Sequence, residues 1–342
     1  MIYIRRLFMM IAAILITVSS GAIGAVADEQ ATTVERDDRL WTISSRQITS
    51  DAYLANVESP DLSVTRLDPI GNRQSTSLDD FFAQLEPGRP VVLHVHGNRL
   101  TECEAIARGL FVYRNVTPCL PYPAIDFLVF TWPSERLGLP IRDGRRKAQM
   151  TEAEGLYLAW FLRELVQRDL SVTVIGYSFG ARVVTGALHT LAGGHLSGRR
   201  LPGPTIRGAE LAVGLVAPAL EANWLDRGQY HGLASQNMSD LAVLYNSKDA
   251  ILKRYWLITS ATRGGALGYS GPKRIALGYD GQRVPLVMRD CARFLGIGHS
   301  EIDYYARGCR IGPTLARLIH GASPVASPNP LPADSSDDST TR

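Results

Sequence analysis

Gly176-Tyr177-Ser178-Phe179-Gly180 sets a serine between two glycines, and Asp249 and His299 follow it in that chain order. A serine hydroxyl attacks a carbonyl only when a base takes its proton and an acid fixes the tautomer of that base. These residue types in this order therefore suit nucleophilic acyl transfer. G-x-S-x-G alone is a weak signal in a Gly-rich chain and reads equally as a Gly-rich loop. It gains weight from its flanks: the apolar run Val172 to Ile175 leads in, and a helical pattern from Ala181 leads out. A strand that reverses into a helix within a few residues leaves little room for a side chain on either side of the turn.

An oxyanion needs two donors. Phe179, at the start of the helix, offers one backbone N-H at the positive end of the helix dipole. The second is expected from His96-Gly97-Asn98, which follows the apolar run Val91 to Val95; Gly97 lets the amide of Asn98, or of Arg99, turn toward the serine. Asp249 closes Tyr245-Asn246-Ser247-Lys248-Asp249 after the apolar run Leu241 to Tyr245, at the sheet edge where α/β folds build their sites. Asp226, Asp240 and Asp303 compete for the acid role, and Asp303 comes after the histidine. His299 lies in Gly296-Ile297-Gly298-His299-Ser300, beyond a last strand expected at Val284 to Met288. The bland readings are a turn aspartate and a surface histidine. His94 and His96 share a strand face, as a metal pair could. No H-x-H-x-D-H continuation or carboxylate cluster follows, so His94 reads as a core histidine, and neither metal nor cofactor is expected.

The elements that must position these residues alternate. Val91 to Val95, Phe127 to Trp132, Val172 to Ile175, Leu211 to Val216 and Leu241 to Tyr245 are near-continuous apolar runs with helical segments between them. Burial on both faces of a mostly parallel sheet explains that pattern. Trp41 to Ile48 and Leu62 to Leu67 read as opening strands at a sheet edge, and Ser77 to Leu85 as a short helix. Thr151 with Glu154 resembles a capping box, followed by Leu158, Phe161, Leu162, Leu165 and Val166 at helical spacing. Ala266-Leu267-Gly268-Tyr269 and Ala276-Leu277-Gly278-Tyr279 read as similar Gly-permitted turns.

Residues 1 to 27 have the form of a signal peptide: Arg5 and Arg6, the apolar stretch Leu7 to Val18, and the small-x-small site Ala25-Val26-Ala27. A retained membrane anchor is the alternative. Residues 28 to 40 form an N-terminal extension, 41 to 322 the folded domain, and the Ser-, Pro- and Asp-rich residues 323 to 342 a disordered tail. The location expected is periplasmic or extracellular. The formal charge of +3 falls by two once Arg5 and Arg6 leave, which argues against a nucleic-acid partner. Contact with a membrane surface or the cell envelope is compatible with export. In an oxidising compartment Cys103, Cys119, Cys291 and Cys309 are candidates for disulfides, and the sequence-local pairs Cys103 with Cys119 and Cys291 with Cys309 are favoured.

His96-Gly97-Asn98, Phe130-Thr131-Trp132-Pro133-Ser134, the Ser178 elbow, Asn246-Ser247-Lys248-Asp249-Ala250, Ala266-Leu267-Gly268-Tyr269 and Gly298-His299 together resemble the α/β-hydrolase superfamily. Within it they resemble a lipase-like bacterial family known as a domain of unknown function. The match spans roughly Trp41 to Tyr305. It implies an α/β-hydrolase fold with Ser178 as nucleophile, Asp249 as acid and His299 as base. Tyr177 and Phe179 depart from the usual Gly-His-Ser-Met-Gly elbow and change the pocket floor.

The segment between Val216 and Leu241 has room for one or two short helices and no large lid. The span from Asp249 to His299 could fold over one side and contribute Trp256, Tyr269 or Tyr279. Arg142, Arg145, Arg146 and Lys147 read as a solvated loop, or as a basic lip for an acidic or phosphate-bearing ester. The expected activity is an exported serine hydrolase acting on small-molecule or lipid-like carboxylic esters. The alternatives are the same triad used as a peptidase, thioesterase or acyltransferase, and a non-catalytic binding protein on a hydrolase fold.

Overall fold

The five apolar runs pair side by side, and their order fixes where the loops after them emerge. The computed structural model describes residues 36–68, 72–121, 124–259, 265–305 and 308–321. The expected signal peptide, most of the expected N-terminal extension and the expected tail lie outside them. The strands are β1 (Arg39–Ser44), β2 (Ser63–Leu67), β3 (Arg73–Thr76), β4 (Val91–Val95), β5 (Asp126–Thr131), β6 (Val172–Tyr177), β7 (Leu211–Val216), β8 (Met238–Tyr245) and β9 (Leu286–Asp290). They form one sheet in the order β3-β2-β1-β5-β4-β6-β7-β8-β9. Every pair from β1 to β9 across the centre is parallel, and only β2 and β3 run antiparallel to their neighbours. β1 lies between β2 and β5, and β2 between β3 and β1, so neither opening strand is at the edge, which β3 occupies.

Helices cover both faces. Trp41 is level with Leu128 on one face, where its ring meets Phe81 of α1 (Leu78–Gln84) at 5.0 Å; Phe81 stacks in turn on Phe161 of α3 (Pro140–Val166). α4 (Phe179–Leu191) packs along α3. On the other face Gly109 of α2 (Glu102–Val116) is pressed so closely on Val129 that a Cβ would come within 2.3 Å of its side chain. Gly214 of β7 receives Leu315 of α8 (Ile311–Gly321) in the same way. A mostly parallel sheet with both faces covered and a strand-serine-helix elbow at its centre is the α/β-hydrolase fold.

The helix before the elbow differs from the expectation. α3 is one helix of 27 residues that begins with Pro140 at its first position, where a missing N-H costs nothing. Thr151 and Glu154 therefore sit in its middle and form no capping box: the Thr151 hydroxyl donates to the Ala148 carbonyl at 2.6 Å, and Glu154 turns inward to Ser45 and Ser50. Arg142 to Lys147 lie in its opening turns rather than in a loop, since Arg, Lys, Ala and Gln are good helix formers. Between β7 and β8 the chain makes turns and one short 3-10 segment, Ala234–Asn237. Small helices α5 (Leu267–Ser270), α6 (Ala292–Leu295) and α7 (Glu301–Tyr304) follow. No described helix is long and apolar enough to cross a membrane.

Candidate active site

β6 delivers Ser178 to the carboxyl edge of the sheet with φ 51° and ψ −117°, a conformation non-glycine residues rarely adopt. The glycines on either side answer to crowding. A Cβ on Gly176 would lie 2.6 Å from Ala181 Cα, and one on Gly180 2.0 Å from the Val95 carbonyl oxygen. Three backbone hydrogen bonds hold the turn: Ser178 N-H donates to Val216 O at 2.9 Å, and Ser178 O accepts from Ala181 and Ala219, each at 3.1 Å.

The structure brings Ser178, Asp249 and His299 together. Ser178 Oγ lies 3.0 Å from His299 Nε2, and His299 Nδ1 lies 2.7 Å from Asp249 Oδ2. Asp249 is fully buried, and its other oxygen accepts the N-H groups of Ile251 and Leu252 at 2.8 Å each. That partner set fits a carboxylate that accepts from Nδ1-H, which leaves Nε2 free to accept the serine proton. The histidine loop is fastened from below. Asn246 Nδ2 donates to Gly296 O at 3.0 Å and Gly298 O at 2.8 Å, Ala250 N-H donates to Ile297 O at 3.1 Å, and the Tyr177 hydroxyl donates to the His299 carbonyl. Burial raises the Tyr177 phenol well above its ordinary range, so it stays a donor. Neither Asn246 nor Tyr177 was singled out for this role from sequence. The Asn-Ser-Lys-Asp run and the elbow tyrosine were the available signals.

At the candidate oxyanion position, Phe179 N-H is the first of α4 and has no intrahelical acceptor. Of the two amides considered beyond Gly97, Arg99 N-H is spent on Ser134 O at 2.7 Å and on Asn98 Oδ1 at 2.9 Å. Asn98 N-H donates to no partner among the described residues. Gly97 is where the loop meets the elbow: a Cβ there would sit 2.7 Å from the Tyr177 ring and 3.2 Å from Ser178 Cβ. His96 locks this loop to the end of β5. Its Nδ1 lies 2.8 Å from Gly97 O, its Nε2 accepts Trp132 N-H at 3.2 Å, and Trp132 Nε1 donates back to His96 O at 2.9 Å. The two rings stack at 5.6 Å. Burial holds the imidazole well below its usual range, so it works as a neutral clamp.

His94 points elsewhere, with Nε2 2.9 Å from Glu301 Oε1 in a buried pair and Arg108 Nη1 3.7 Å from Glu301 Oε2. The two histidines therefore share no ligand point, and no group of three or more metal-binding side chains occurs among the described residues.

Ser178 opens into a cavity of about 530 Å³. Ile141 from α3 and Leu252, Leu257 and Ile258 from the segment after Asp249 supply its apolar wall, with Arg99 and Arg254 also lining it. A larger cavity of about 730 Å³, between Arg46 to Tyr53 and the outer side of α3, contains none of the triad. Trp256, Tyr269 and Tyr279 do not line the site; Trp256 and Tyr279 are 62 % and 64 % exposed. The basic stretch also disperses. Lys147 is buried and donates to Pro133 O, Arg145 donates to Leu257 O, and Arg146 faces the larger cavity.

The expected pairs are not bridged in this structure, where all four cysteines are free thiols. Cys103 is at the start of α2 and Cys119 just past its end. A rise of 1.5 Å per residue separates them by ~20 Å, far beyond the ~7 Å limit for a bridge. Cys291 and Cys309 are buried neighbours in thiol hydrogen-bond contact, and burial pushes both thiols up.

No family model matches the chain, and no curated protein matches it in sequence. Among solved structures the chain is similar to TT1662 from Thermus thermophilus, at 14% identity over 75% of this chain and 93% of the other, with a TM-score of 0.38. It is similar to esterase B from Lactobacillus rhamnosis, solved with a tributyrin phosphonate inhibitor, at 12% identity over 84% and 87% of the two chains, TM-score 0.39. A third is LpqC, a poly(3-hydroxybutyrate) depolymerase from Bordetella parapertussis, at 14% identity over 78% and 86%, TM-score 0.37. At this level of likeness none of them assigns a substrate or a mechanism to the chain.

Proposed function

We propose that the chain is a serine hydrolase that cleaves carboxylic esters through an acyl-enzyme on Ser178. The observation that carries this reading is the unbroken line of short contacts from Ser178 Oγ through His299 to buried Asp249. His299 Nε2 takes the hydroxyl proton as Oγ attacks the ester carbonyl, and Asp249 stabilises the imidazolium that forms. The N-H groups of Phe179 and Asn98 stabilise the oxyanion; one such donor is worth about 10²- to 10³-fold in kcat. Collapse of the intermediate expels the alkoxide, which leaves with the proton from His299. A water then repeats the sequence on the acyl-enzyme, with His299 again as base. The apolar wall around Ile141, Leu252, Leu257 and Ile258 suits an acyl chain.

A fluorophosphonate probe tests the reading. Labelling of the folded protein that disappears in Ser178→Ala is the expected result, whereas a folded protein that takes no label is not a serine hydrolase. Turnover of short- and long-chain esters, set against amides and thioesters, separates the ester reading from peptidase or thioesterase activity. The basic, apolar and small-x-small segments at residues 1 to 27 support export, and N-terminal sequencing of the mature protein checks cleavage after Ala27.

A further inference from the structure

We propose that Arg99 and Arg254 make this cavity selective for esters that carry a negative charge close to the scissile bond. The inference rests on the serine-hydrolase reading of Ser178 and names its substrate class. The residues lining the cavity include two arginines and no aspartate or glutamate; most of the rest are apolar. Asp249, next to the lining residue Ala250, has both oxygens occupied by His299, Ile251 and Leu252.

Arg99 directly follows the candidate oxyanion donor Asn98 and has φ 67°, the left-handed region. For a residue with a Cβ that conformation costs about 1–2 kcal/mol. Its N-H is held by two acceptors, Ser134 O and Asn98 Oδ1, so the surrounding structure imposes the conformation. The effect is to turn the Arg99 side chain along the cavity rim, where it remains 38% exposed. Its Nε lies 3.6 Å from Asp143 Oδ2, a loose pair that orients the guanidinium, and Asp143 Oδ1 is taken by Leu137 N-H at 3.2 Å. The two terminal nitrogens of Arg99 donate to nothing among the described residues.

Arg254 belongs to the 3-10 segment Leu252–Leu257 that follows the acid. Its Nη1 donates to Ala250 O at 2.7 Å, and its remaining N-H groups have no acceptor among the described residues. Two guanidinium groups with unused donors, set against an apolar wall and beside the nucleophile, match an amphiphilic anionic ester. An arginine fork binds a carboxylate or a phosphate equally well. The anion can thus belong to the acyl part, as in a hemiester of a dicarboxylic acid, or to the alcohol part, as in an acylglycerol phosphate.

Two matched substrate pairs test the proposal and separate these sources. For the acyl side they are 4-nitrophenyl hemiglutarate and 4-nitrophenyl valerate, and for the alcohol side butyrylglycerol 3-phosphate and butyrylglycerol. The expected result is a kcat/KM at least about tenfold higher for the anionic member of one pair, as a charged hydrogen bond predicts. That ratio should fall toward one in Arg99→Gln and in Arg254→Gln, and Arg99→Lys should restore part of it. Thermal melts establish that each variant is folded. Equal turnover within both pairs, or a charge preference that survives both glutamine variants, overturns the selectivity. If fluorophosphonate labelling persists in that case, the hydrolase reading stands alone; if the folded protein takes no label, both fall.

Discussion

Asn246 is the test of whether the histidine loop is positioned from below. Asn246→Leu, close in volume, removes the amide that donates to Gly296 O and Gly298 O at 3.0 and 2.8 Å. The side chain is fully buried, so water cannot easily replace the amide on that side. Each lost hydrogen bond is worth about 1 kcal/mol net, so the conformation that presents His299 to Ser178 weakens by about 2 kcal/mol against looser ones. For a loop held close to balance in the parent, that figure lowers the competent population by about 15-fold. The loss should appear in the rate of fluorophosphonate inactivation as well as in kcat/KM, because the probe needs the Ser178 and His299 pair but few substrate contacts. The assay is run well below the variant's melting temperature to keep global unfolding out of the reading. An inactivation rate within about threefold of the parent would refute the reasoning, since the remaining Ala250 and Tyr177 contacts would then suffice.

Two further predictions concern groups away from the nucleophile. Burial raises the Glu154 carboxyl from its ordinary 4.5 to about 7, against the opposing hydroxyls of Ser45 and Ser50. A raised folded value means the native state binds more protons, so this contribution to stability is complete below pH 4.5 and is lost as pH rises through 7. The shift is equivalent to about 3 kcal/mol. Urea melts at about pH 4 and about pH 8 should therefore show Glu154→Gln gaining on the parent by that order as pH rises; parallel pH profiles would count against it. The free thiols give the other: in native protein Cys103 and Cys119 react with a thiol reagent, whereas Cys291 and Cys309 react only on unfolding. A native protein with no reactive thiol would restore the bridged alternative.

Those parts of the site fixed by local backbone were legible in the sequence. An apolar strand, two crowded glycines and a following helix specify the Ser178 turn, and chain order together with the apolar run before Asp249 and the glycines before His299 pointed to those two residues. The pocket wall was not legible, for two physical reasons. The resemblance of Thr151 and Glu154 to a capping box moved the start of α3 well into its middle, hiding that Pro140, Ile141 and Gly144 reach the site. Pro140 was the overlooked signal. Aromatic type also suggested Trp256, but a 3-10 segment repeats every three residues. Leu252, Tyr255 and Ile258 therefore share the inward face, and Trp256 turns out. The side-chain bonds of His96 with Gly97 and Trp132 couple two separate strand ends, a relation no local pattern encodes.

These couplings explain how a strained serine can persist at the elbow. Ser178 occupies a backbone region that costs of order 1–3 kcal/mol, and nothing in its own side chain offsets that cost. The offset comes from three strands at once. β7 and the turn after it fix both polar groups of the Ser178 backbone, β4 sends the Gly97 loop against the Tyr177 ring, and β5 anchors that loop through Trp132 and His96. Tyr177, one residue before the serine, closes the circuit by binding the carbonyl of His299. The elbow, the Gly97 loop and His299 are thereby positioned against one another rather than each against solvent. Substitution of any one clamp should shift the Ser178 to His299 geometry before it lowers overall stability, because the sheet beneath these loops is continuous and fully buried from β4 to β7.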